Sequence, residues 1–415
     1  MRRSACALSL AWLLLECAGS SRPEATSGQA ADQAVVLVAL DGFHPSYLER
    51  ASSRHLRRLA QGGVRARWLA PVFPTLTFPN FYSIATGLYP EHHGIVSNTM
   101  KDPLLGHFAL GNLKAVRDPR WWGGEPIWVT AVRQEKRAAA FFWPGSDVPI
   151  QGVRPTYYRL YDPSVPNADR VRQVLQWLSL PGERAPALVT LYLGDVDKVG
   201  HDFGPDAAET DSAIARVDSA VGALMTGIEQ RGLSRRVNLV IVSDHGMARL
   251  ERRQEIYVDD LIDTALVEII DRGPFLSLLP RPGVEEEIYR QLGRGHPHLT
   301  IYRKSEVPAA YHYRDHHRIP SIIGVPDDGW TVTTRSYVVS RGSQWSRGGH
   351  GYPPERPSMR AIFLAQGPAF EKGAVVEPFQ NIHLYALLAH VLDLKPAQND
   401  GTLDSVKALL AQPGR

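Results

Sequence analysis

The chain has 415 residues, of which 44% are hydrophobic and 21% are charged. This composition is typical of a globular protein and excludes a disordered or collagen-like chain. The 46 basic and 43 acidic residues leave a net charge of only +3, and the basic residues form no block. A nucleic-acid groove that binds through counterion release is therefore not expected.

The N-terminus has the pattern of an export signal. Two arginines precede the apolar run Ala5–Leu15, and small residues follow as far as Ser20. The apolar run is shorter than the roughly 20 residues that a membrane-spanning helix needs. We therefore predict a signal peptide over residues 1–20, a flexible start over residues 21–33, and an exported protein without a membrane span.

Both cysteines of the chain, Cys6 and Cys17, lie within this leader. Removal of the leader would leave a protein without disulfides, which is more typical of a bacterial periplasmic or secreted enzyme than of an animal ectodomain. A lipid anchor on Cys17 is an alternative, but Glu16 directly before it fits a lipid-attachment signal poorly.

Apolar runs that predict buried strands alternate along the chain with segments that predict helices. The strands are predicted at Val35–Leu40, Ala138–Trp143, Leu188–Leu193, Val237–Val242 and Arg360–Leu364. The helices are predicted at Tyr47–Ala60, Asn80–Thr86, Glu125–Arg137 and Glu209–Gln230. This alternation predicts an α/β fold with a mostly parallel central sheet and helices on both of its faces.

Residues 250–341 are less regular and rich in proline, glycine and histidine. We interpret them as an elaboration of the same domain that contains a small antiparallel piece. Residues 34–412 are thus expected to form one domain, and the protein is expected to be a monomer.

Acidic residues and histidines follow three of the predicted strands, and one further histidine lies in a glycine-rich loop. They are Asp41 after the first strand, Asp197 and His201 after the third, Asp244 and His245 after the fourth, and His350 in the loop before the last. Ligands bind beyond the carboxyl ends of parallel strands, so these side chains are expected to converge. Without a matching basic cluster they need a cation, and the mixed donor set suits zinc, with manganese or iron as alternatives.

Because both cysteines lie in the leader, the nucleophile is expected to be a hydroxyl. Thr77 precedes Phe78 and Pro79 and a short helix, so it lies at or near a helix N-terminus. Free amides and the helix dipole favour an anion there, and a threonine alkoxide on a metal can attack phosphorus. Thr77 could instead serve only as a helix cap, and Thr75 is a competing nucleophile further from the helix.

Five ordered motifs carry a resemblance to a known family. They are FPTLTFPNFY, TGLYPEHHGIVSN, DVDKVGH, SDHGM and GGHG, and the resemblance covers about residues 34–395. They resemble the nucleotide pyrophosphatase/phosphodiesterase family of the alkaline phosphatase superfamily, and its compact bacterial members most of all. The resemblance implies an alkaline-phosphatase-like fold and a catalytic domain that cleaves nucleotide phosphodiesters or nucleoside triphosphates to nucleoside 5′-monophosphates.

Carried over to this chain, the resemblance also implies two zinc ions and a set of site residues. One ion would be bound by Asp41, Thr77, Asp244 and His245, and the other by Asp197, His201 and His350. Thr77 would form a covalent phospho-threonine intermediate, while Asn98 and the amide of Phe78 would donate hydrogen bonds to phosphoryl oxygens. The nucleoside pocket would be formed by Trp143, Pro144 and Asp147 of the WPGSD segment, by Phe78 and Tyr161 around the base, and by Tyr192.

The absence of an arginine directly after Thr77 favours a diester substrate. A diester carries one negative charge fewer than a monoester, so an asparagine and a backbone amide can suffice around the phosphoryl group. Many animal members of the family have lysine before the nucleophile, where this chain has Leu76. The alternatives that stay open are a phosphomonoesterase, a choline-phospholipid phosphodiesterase and a non-catalytic protein that binds metal or nucleotide.

Overall fold

The computed structural model of the protein describes residues 33–412. The predicted signal peptide, both cysteines and all but the last residue of the predicted flexible start lie outside the described residues. Within residues 33–412, no helix is both long and apolar enough to cross a bilayer.

An eight-stranded sheet forms the centre of the structure. Its strands are β1 Ala34–Leu40, β2 Val64–Ala66, β3 Ala138–Phe141, β4 Tyr157–Arg159, β5 Leu188–Leu193, β6 Val237–Val242, β7 Phe363–Gln366 and β8 Ala374–Val376. Across the sheet the order is β8-β2-β7-β6-β1-β5-β3-β4. Within this sheet β7 alone runs antiparallel to its neighbours, so the predicted mostly parallel sheet is confirmed.

Helices cover both faces of this sheet. They are α1 Arg54–Gly62, α2 Thr77–Thr86, α3 Pro90–His93, α4 Leu113–Val116, α5 Ile127–Arg133, α6 Asn167–Leu178, α7 Asp195–Phe203, α8 Ala208–Gln230, α9 Glu285–Gly293, α10 Arg335–Arg341 and α11 His383–Val391. Successive residues of β1 alternate between two cores. Val35 and Leu37 join the core under α2, α5 and α11, whereas Val36 and Val38 join the core under α1, α6 and α8.

One predicted helix is wrong in part. A 3₁₀ turn at Pro45–Glu49 and a separate helix, α1, take the place of the one continuous helix predicted at Tyr47–Ala60. The start of α1 is fixed by a residue distant in the sequence. Asp218 on α8 accepts hydrogen bonds of 3.0 and 2.8 Å from two backbone amides in the first turn of α1. Contacts of this kind between distant parts of the chain leave no local signal in the sequence.

The irregular segment contains the expected antiparallel piece. It is a four-stranded sheet of Val267–Asp271, Leu276–Pro280, Leu299–Arg303 and Ile322–Pro326, with a core of its own. Four further two-stranded pairs are Leu69–Ala70 with Phe379–Gln380, Thr99–Asp102 with Gly106–Ala109, Ala248–Arg249 with Gly348–Gly349, and Glu255–Tyr257 with Thr331–Thr333. The pair formed by Ala248–Arg249 and Gly348–Gly349 brings the glycine-rich loop to the carboxyl end of β6.

Candidate active site

The carboxyl ends of three adjacent strands bring the predicted acidic residues together. Asp41 follows β1, and Asp244 and His245 follow β6. Asp197 lies in the first turn of α7, which comes directly after β5. Since β1 pairs with both β5 and β6, the three strand ends meet at one place on the sheet edge, where parallel sheets bind their ligands.

Gly42 allows two of these strand ends to approach closely. Its φ is +68°, and a Cβ atom there would lie 2.9 Å from the Cα atom of Asp197. The amide of Asp197 donates a 3.1 Å hydrogen bond to the carbonyl oxygen of Asp41. The amide of Gly42 donates one of 3.2 Å to Oδ1 of Asp244. Backbone contacts therefore fix the three carboxylates relative to one another.

Asp41, Thr77, Asp244 and His245 form the first group of the site, and all four are buried. Nε2 of His245 lies 2.9 Å from Oδ2 of Asp244 and 3.6 Å from Oδ1 of Asp41. Oγ1 of Thr77 lies 3.3 Å from the same nitrogen. The structure thus brings together the four residues predicted for one metal ion.

Asp197, His201 and His350 form the second group. Oδ1 of Asp197 lies 3.3 Å from Nε2 of His201 and 3.5 Å from Nε2 of His350. The two Nε2 atoms are 3.0 Å apart. The rings of His245 and His350 stack with their centroids 3.5 Å apart, so the two groups adjoin.

The three histidines are held in the same way. Each places Nδ1 2.8–2.9 Å from a backbone carbonyl oxygen, and the partners are Gly246 for His245, Gly348 for His201 and Thr75 for His350. A carbonyl oxygen only accepts, so Nδ1 carries the proton and Nε2 of the neutral ring keeps a free electron pair. Hydrogen bonds of this kind orient the histidines that bind metals in proteins.

The donor atoms of the site fit a cation. Oδ1 of Asp41, Oδ1 of Asp197 and Oδ2 of Asp244 are buried without a hydrogen-bond partner. Each of these oxygens instead faces an Nε2 atom at 2.9–3.6 Å. Electron pairs that face electron pairs in a buried place are costly, and a cation between them removes the cost. Oxygen and imidazole donors together are a ligand set that zinc accepts.

The same cluster shifts the pKa values of its members. Burial, followed by repulsion from Asp244 and Asp197, raises the pKa of Asp41 well above its usual value. Burial and the neighbouring His245 lower the pKa of His350. Burial also lowers the pKa of His201, but attraction to Asp197 outweighs it and raises the value to about 9. Asp197 and His201 thus attract one another, whereas Asp41 faces two further carboxylates, and the negative charge concentrated around Asp41 favours a cation there.

Thr77 is the first residue of α2, which begins three residues earlier than predicted. The buried side chain of Asn80 fixes the loop before it: Oδ1 accepts from the amide of Val72 at 2.8 Å, and Nδ2 donates to the carbonyl oxygens of Pro74 and Leu76 at 3.0 and 2.9 Å. This positioning role of Asn80 is not among the roles predicted from the sequence. An asparagine within a predicted helix, where its propensity is low, was the available signal.

Thr75, the competing nucleophile, has its hydroxyl occupied by backbone groups. Oγ1 donates to the carbonyl oxygen of Tyr352 at 2.8 Å and accepts from the amide of Gly351 at 3.0 Å. Both partners directly follow His350 in the chain. Thr75 thus holds the loop that carries His350, and Thr77 is the hydroxyl that faces the acidic cluster.

Asn98 lies beside the start of α2. Its Oδ1 accepts a 2.9 Å hydrogen bond from the amide of Phe78, which leaves the Nδ2 group of Asn98 as a donor. The Phe78 amide is therefore already paired in the structure. Donation from the Phe78 amide to a phosphoryl oxygen stays a prediction. In the structure this amide orients the side chain of Asn98.

A cleft of about 1060 Å³ adjoins the second group and is lined by Tyr161, Tyr192, Asp197 and His201, among others. We call it the tyrosine cleft. The hydroxyl of Tyr192 donates to Oδ2 of Asp41 at 2.5 Å. The ring of Tyr161 is 46% exposed and lies 6.4 Å from that of Tyr192.

Phe78 contacts other rings, those of Phe108 and Trp122. The sandwich of a base between Phe78 and Tyr161 therefore stays a prediction.

The WPGSD segment lies behind the site. Trp143 is 1% exposed and donates from Nε1 to the carbonyl oxygen of Phe81 on α2 at 3.1 Å. Pro144 is also buried. Both side chains lie beneath the surface of the site and present no surface to a ligand, whereas the sequence predicts that they contact the nucleoside. Asp147 is more accessible and pairs with Arg117 at 3.4 Å.

Asp195, two residues before Asp197, is not part of the cluster. Its carboxylate accepts hydrogen bonds from Nδ2 of Asn167 at 2.9 Å and from Nε of Arg216 at 3.3 Å. Asp195 is therefore a suitable control position for substitutions of Asp197.

The sequence model of the family described as type I phosphodiesterase / nucleotide pyrophosphatase matches residues 35–353. This range includes every residue of the two groups above. The chain belongs to this family. The protein is thus an enzyme of nucleotide pyrophosphatase/phosphodiesterase type, and the family is metal-dependent.

Curated relatives share between a third and two fifths of their residues with the chain. An uncharacterized pyrophosphatase/phosphodiesterase of Schizosaccharomyces pombe is 36% identical over 90% of this chain and 80% of its own length. The bis(5′-adenosyl)-triphosphatase enpp4 of Mus musculus is 39% identical over 91% and 81%. Ectonucleotide pyrophosphatase/phosphodiesterase family member 3 of Rattus norvegicus is 37% identical over 97% of this chain, which spans only 46% of that relative.

Solved structures confirm the alkaline-phosphatase-like α/β fold. Human ectonucleotide pyrophosphatase/phosphodiesterase 5 has a TM-score of 0.87 and 35% identity, and the match covers 92% of this chain and 100% of that one. The murine protein, in an inactive variant that replaces a threonine by alanine and is in complex with AMP, has a TM-score of 0.86 and 36% identity over 91% and 100%.

Proposed function

We propose that the protein hydrolyses nucleotide 5′-phosphodiester and pyrophosphate bonds and releases nucleoside 5′-monophosphates. The observation that carries the proposal is the Thr77 hydroxyl, which lies at the start of α2 and 3.3 Å from Nε2 of His245 within the acidic cluster. Two comparisons support it. One relative is named a bis(5′-adenosyl)-triphosphatase, and a solved relative binds AMP, a nucleoside 5′-monophosphate.

In the proposed reaction, Oγ1 of Thr77 gives its proton to water and attacks phosphorus. The bond from phosphorus to the leaving oxygen breaks, its electron pair stays on that oxygen, and a phospho-threonine that carries the nucleoside forms. Water then hydrolyses the phospho-threonine bond. The amides in the first turn of α2 and the helix dipole favour the anionic phosphoryl group at that place. Two zinc ions, one in each group, would supply Lewis acidity for the attacking and leaving oxygens. Nδ2 of Asn98 would donate to a phosphoryl oxygen.

The function is tested by comparing a diester with a monoester. Thymidine 5′-p-nitrophenyl phosphate should be cleaved with a kcat/KM at least about 100-fold above that for p-nitrophenyl phosphate, a difference of about 2.7 kcal/mol in transition-state binding. The reason is that the site offers an asparagine in place of an arginine to the phosphoryl oxygens. Preference for the monoester would support a phosphomonoesterase, and preference for p-nitrophenyl phosphorylcholine would support a choline-phospholipid enzyme.

Asn98→Ala is expected to lower kcat/KM for the thymidine diester by about 10²–10³-fold, because it removes one donor to the charge that develops in the transition state. Steady-state kinetics on the purified variant would measure this loss. Asn112→Ala is the matched control, since Asn112 starts α4 by accepting from the amide of Ala115. That control should lose about 1 kcal/mol of stability and keep its activity. Full activity of Asn98→Ala would contradict the proposed contact.

We also propose that the protein acts as an exported monomer, in the periplasm or after secretion. Relatives that are named ectonucleotide enzymes or venom phosphodiesterases support the export.

A further inference from the structure

Asn98 lies in a short segment that the irregular part of the chain holds at both ends. We call residues 96–102 the asparagine segment. At its first residue, the carbonyl oxygen of Val96 accepts a 2.9 Å hydrogen bond from the hydroxyl of Tyr313. At its last residue, an aspartate, the carboxylate accepts one of 2.8 Å from Nε of Arg318. Side chains distant in the sequence therefore fix where this segment begins and ends.

Between these ends, the buried side chain of Ser97 connects the asparagine segment to the four-stranded sheet. Oγ of Ser97 donates to Oδ2 of Asp271 at 3.0 Å, and it accepts from the amide of Thr99 at 3.3 Å. Asp271 is the last residue of the strand Val267–Asp271. The hydroxyl of Ser97 thus bridges the two chain neighbours of Asn98 and ties both of them to Asp271.

Asn98 is consequently fixed from two directions. Its Oδ1 accepts a 2.9 Å hydrogen bond from the amide of Phe78 in the first turn of α2, which orients the side chain. The contacts of Ser97 with Asp271 and Thr99 hold the backbone on either side of it. Such precision matters for a donor in an active site, because a displacement of about 1 Å can cost about 100-fold in rate.

Asp271 carries a carboxylate where charge is costly. Its Oδ2 accepts hydrogen bonds from two hydroxyls, those of Ser97 and Ser277, each at 3.0 Å. Burial raises the pKa of Asp271 to about 7, although these hydrogen bonds and the charge of Arg272 lower it. Ionisable groups with perturbed pKa values are concentrated at functional sites. Together with the link to Asn98, this cost indicates a role beyond packing of the four-stranded sheet.

We propose that Asp271 is a positioning residue, which acts through Ser97 to hold Asn98 where its Nδ2 group meets a phosphoryl oxygen. This inference rests on the proposed function and deepens it, since it gives the four-stranded sheet a role in hydrolysis. Asp271 acts through two other residues and is not itself a catalytic residue.

The two serines on Asp271 offer a matched pair of variants. Ser97→Ala removes the link to the asparagine segment, whereas Ser277→Ala removes the other donor to the same oxygen, from the strand Leu276–Pro280. Both side chains are buried, so the melting temperatures of the two variants should fall by similar amounts. With thymidine 5′-p-nitrophenyl phosphate and zinc-loaded enzyme, kcat should fall at least about tenfold in Ser97→Ala and stay within about threefold in Ser277→Ala. KM should change little in either variant, because Asn98 is proposed to act on charge that develops in the transition state.

Variants of Asp271 test the other end of the link. Asp271→Ala removes the acceptor and should lower kcat as much as Ser97→Ala does. Asp271→Asn keeps one oxygen that accepts from Ser97, so its kcat should stay within about threefold of the wild-type value. A loss in Asp271→Asn as large as that in Asp271→Ala would overturn the proposed acceptor role.

A double-mutant cycle distinguishes positioning from a general structural effect. In an Asn98→Ala background, Ser97→Ala should lower kcat less than about twofold, because the group that it positions is already gone. The same loss with and without Asn98 would overturn the inference, as would equal losses of kcat in Ser97→Ala and Ser277→Ala.

Hydrogen exchange separates this inference from the proposed function. Backbone amides of the asparagine segment should exchange at least about tenfold faster in Asp271→Ala than in the wild type, and at about the wild-type rate in Ser277→Ala. Unchanged exchange in Asp271→Ala would overturn the inference. If the wild type cleaved neither diester nor monoester, the proposed function would fail, while the exchange rates still decided whether Asp271 holds this segment. Should Asp271→Ala fail to fold, Ser97→Ala carries both measurements.

Discussion

Thr77→Ala is expected to reduce hydrolysis of thymidine 5′-p-nitrophenyl phosphate by at least about 10⁴-fold. Loss of a nucleophile that acts with its neighbours as a unit costs this much or more in other hydrolases. The structure supports a large effect because the Thr77 hydroxyl faces the acidic cluster at the start of α2. Burst kinetics and mass spectrometry of acid-quenched enzyme would show a nucleotide on Thr77 in the wild type.

Two control variants make this result specific. Thr77→Ser keeps a hydroxyl and should recover part of the activity. Thr75→Ala removes a hydroxyl two residues away, one that is bonded to Tyr352 and Gly351. It should lower the free energy of unfolding by about 1–3 kcal/mol and leave the activity of the folded fraction within about tenfold. Wild-type turnover in Thr77→Ala, or a larger loss in Thr75→Ala, would remove Thr77 from the mechanism.

Much of the site could be predicted because strand order and chemistry coincide. Buried strands read as continuous apolar runs, and the residue after each run lies at the sheet edge. This rule predicts that Asp41 and Asp244 lie at the same edge of the sheet. The two residues adjoin because β1 and β6 pair in the structure. Zinc-type donors and a hydroxyl at a helix start then follow from the residue types.

The remaining features depend on contacts that the sequence does not encode locally. His350 reaches the site because Gly348–Gly349 pairs with Ala248–Arg249, about 100 residues away along the chain. Asp218 fixes the start of α1 by accepting hydrogen bonds from two amides in its first turn, where one longer helix is predicted. Trp143 is buried behind α2, although its motif predicts contact with substrate. Each outcome is decided by a partner distant in sequence, so periodicity and spacing carry no sign of it.

Removal of metal is expected to abolish hydrolysis and to destabilise the fold. Without a cation, three carboxylate oxygens remain buried without partners, on Asp41, Asp197 and Asp244. Zinc that binds only the folded state adds about 2.7 kcal/mol of stability at a free concentration 100 times its Kd. After dialysis against a chelator, activity and melting temperature should fall together and both should return with added zinc. Elemental analysis of the reloaded protein should give two ions per chain.

Asp197→Asn tests the second group in the same assays. The amide lacks the negative charge that faces His201 and His350, so this variant should retain about one ion and lose at least about 10³-fold in kcat/KM. Asp195→Asn changes the same atoms two residues earlier, where the carboxylate bonds to Asn167 and Arg216 instead. It should retain both ions. Equal zinc content in the two variants would contradict the assignment of Asp197 as a ligand, and full activity after exhaustive chelation would contradict metal-dependent hydrolysis itself.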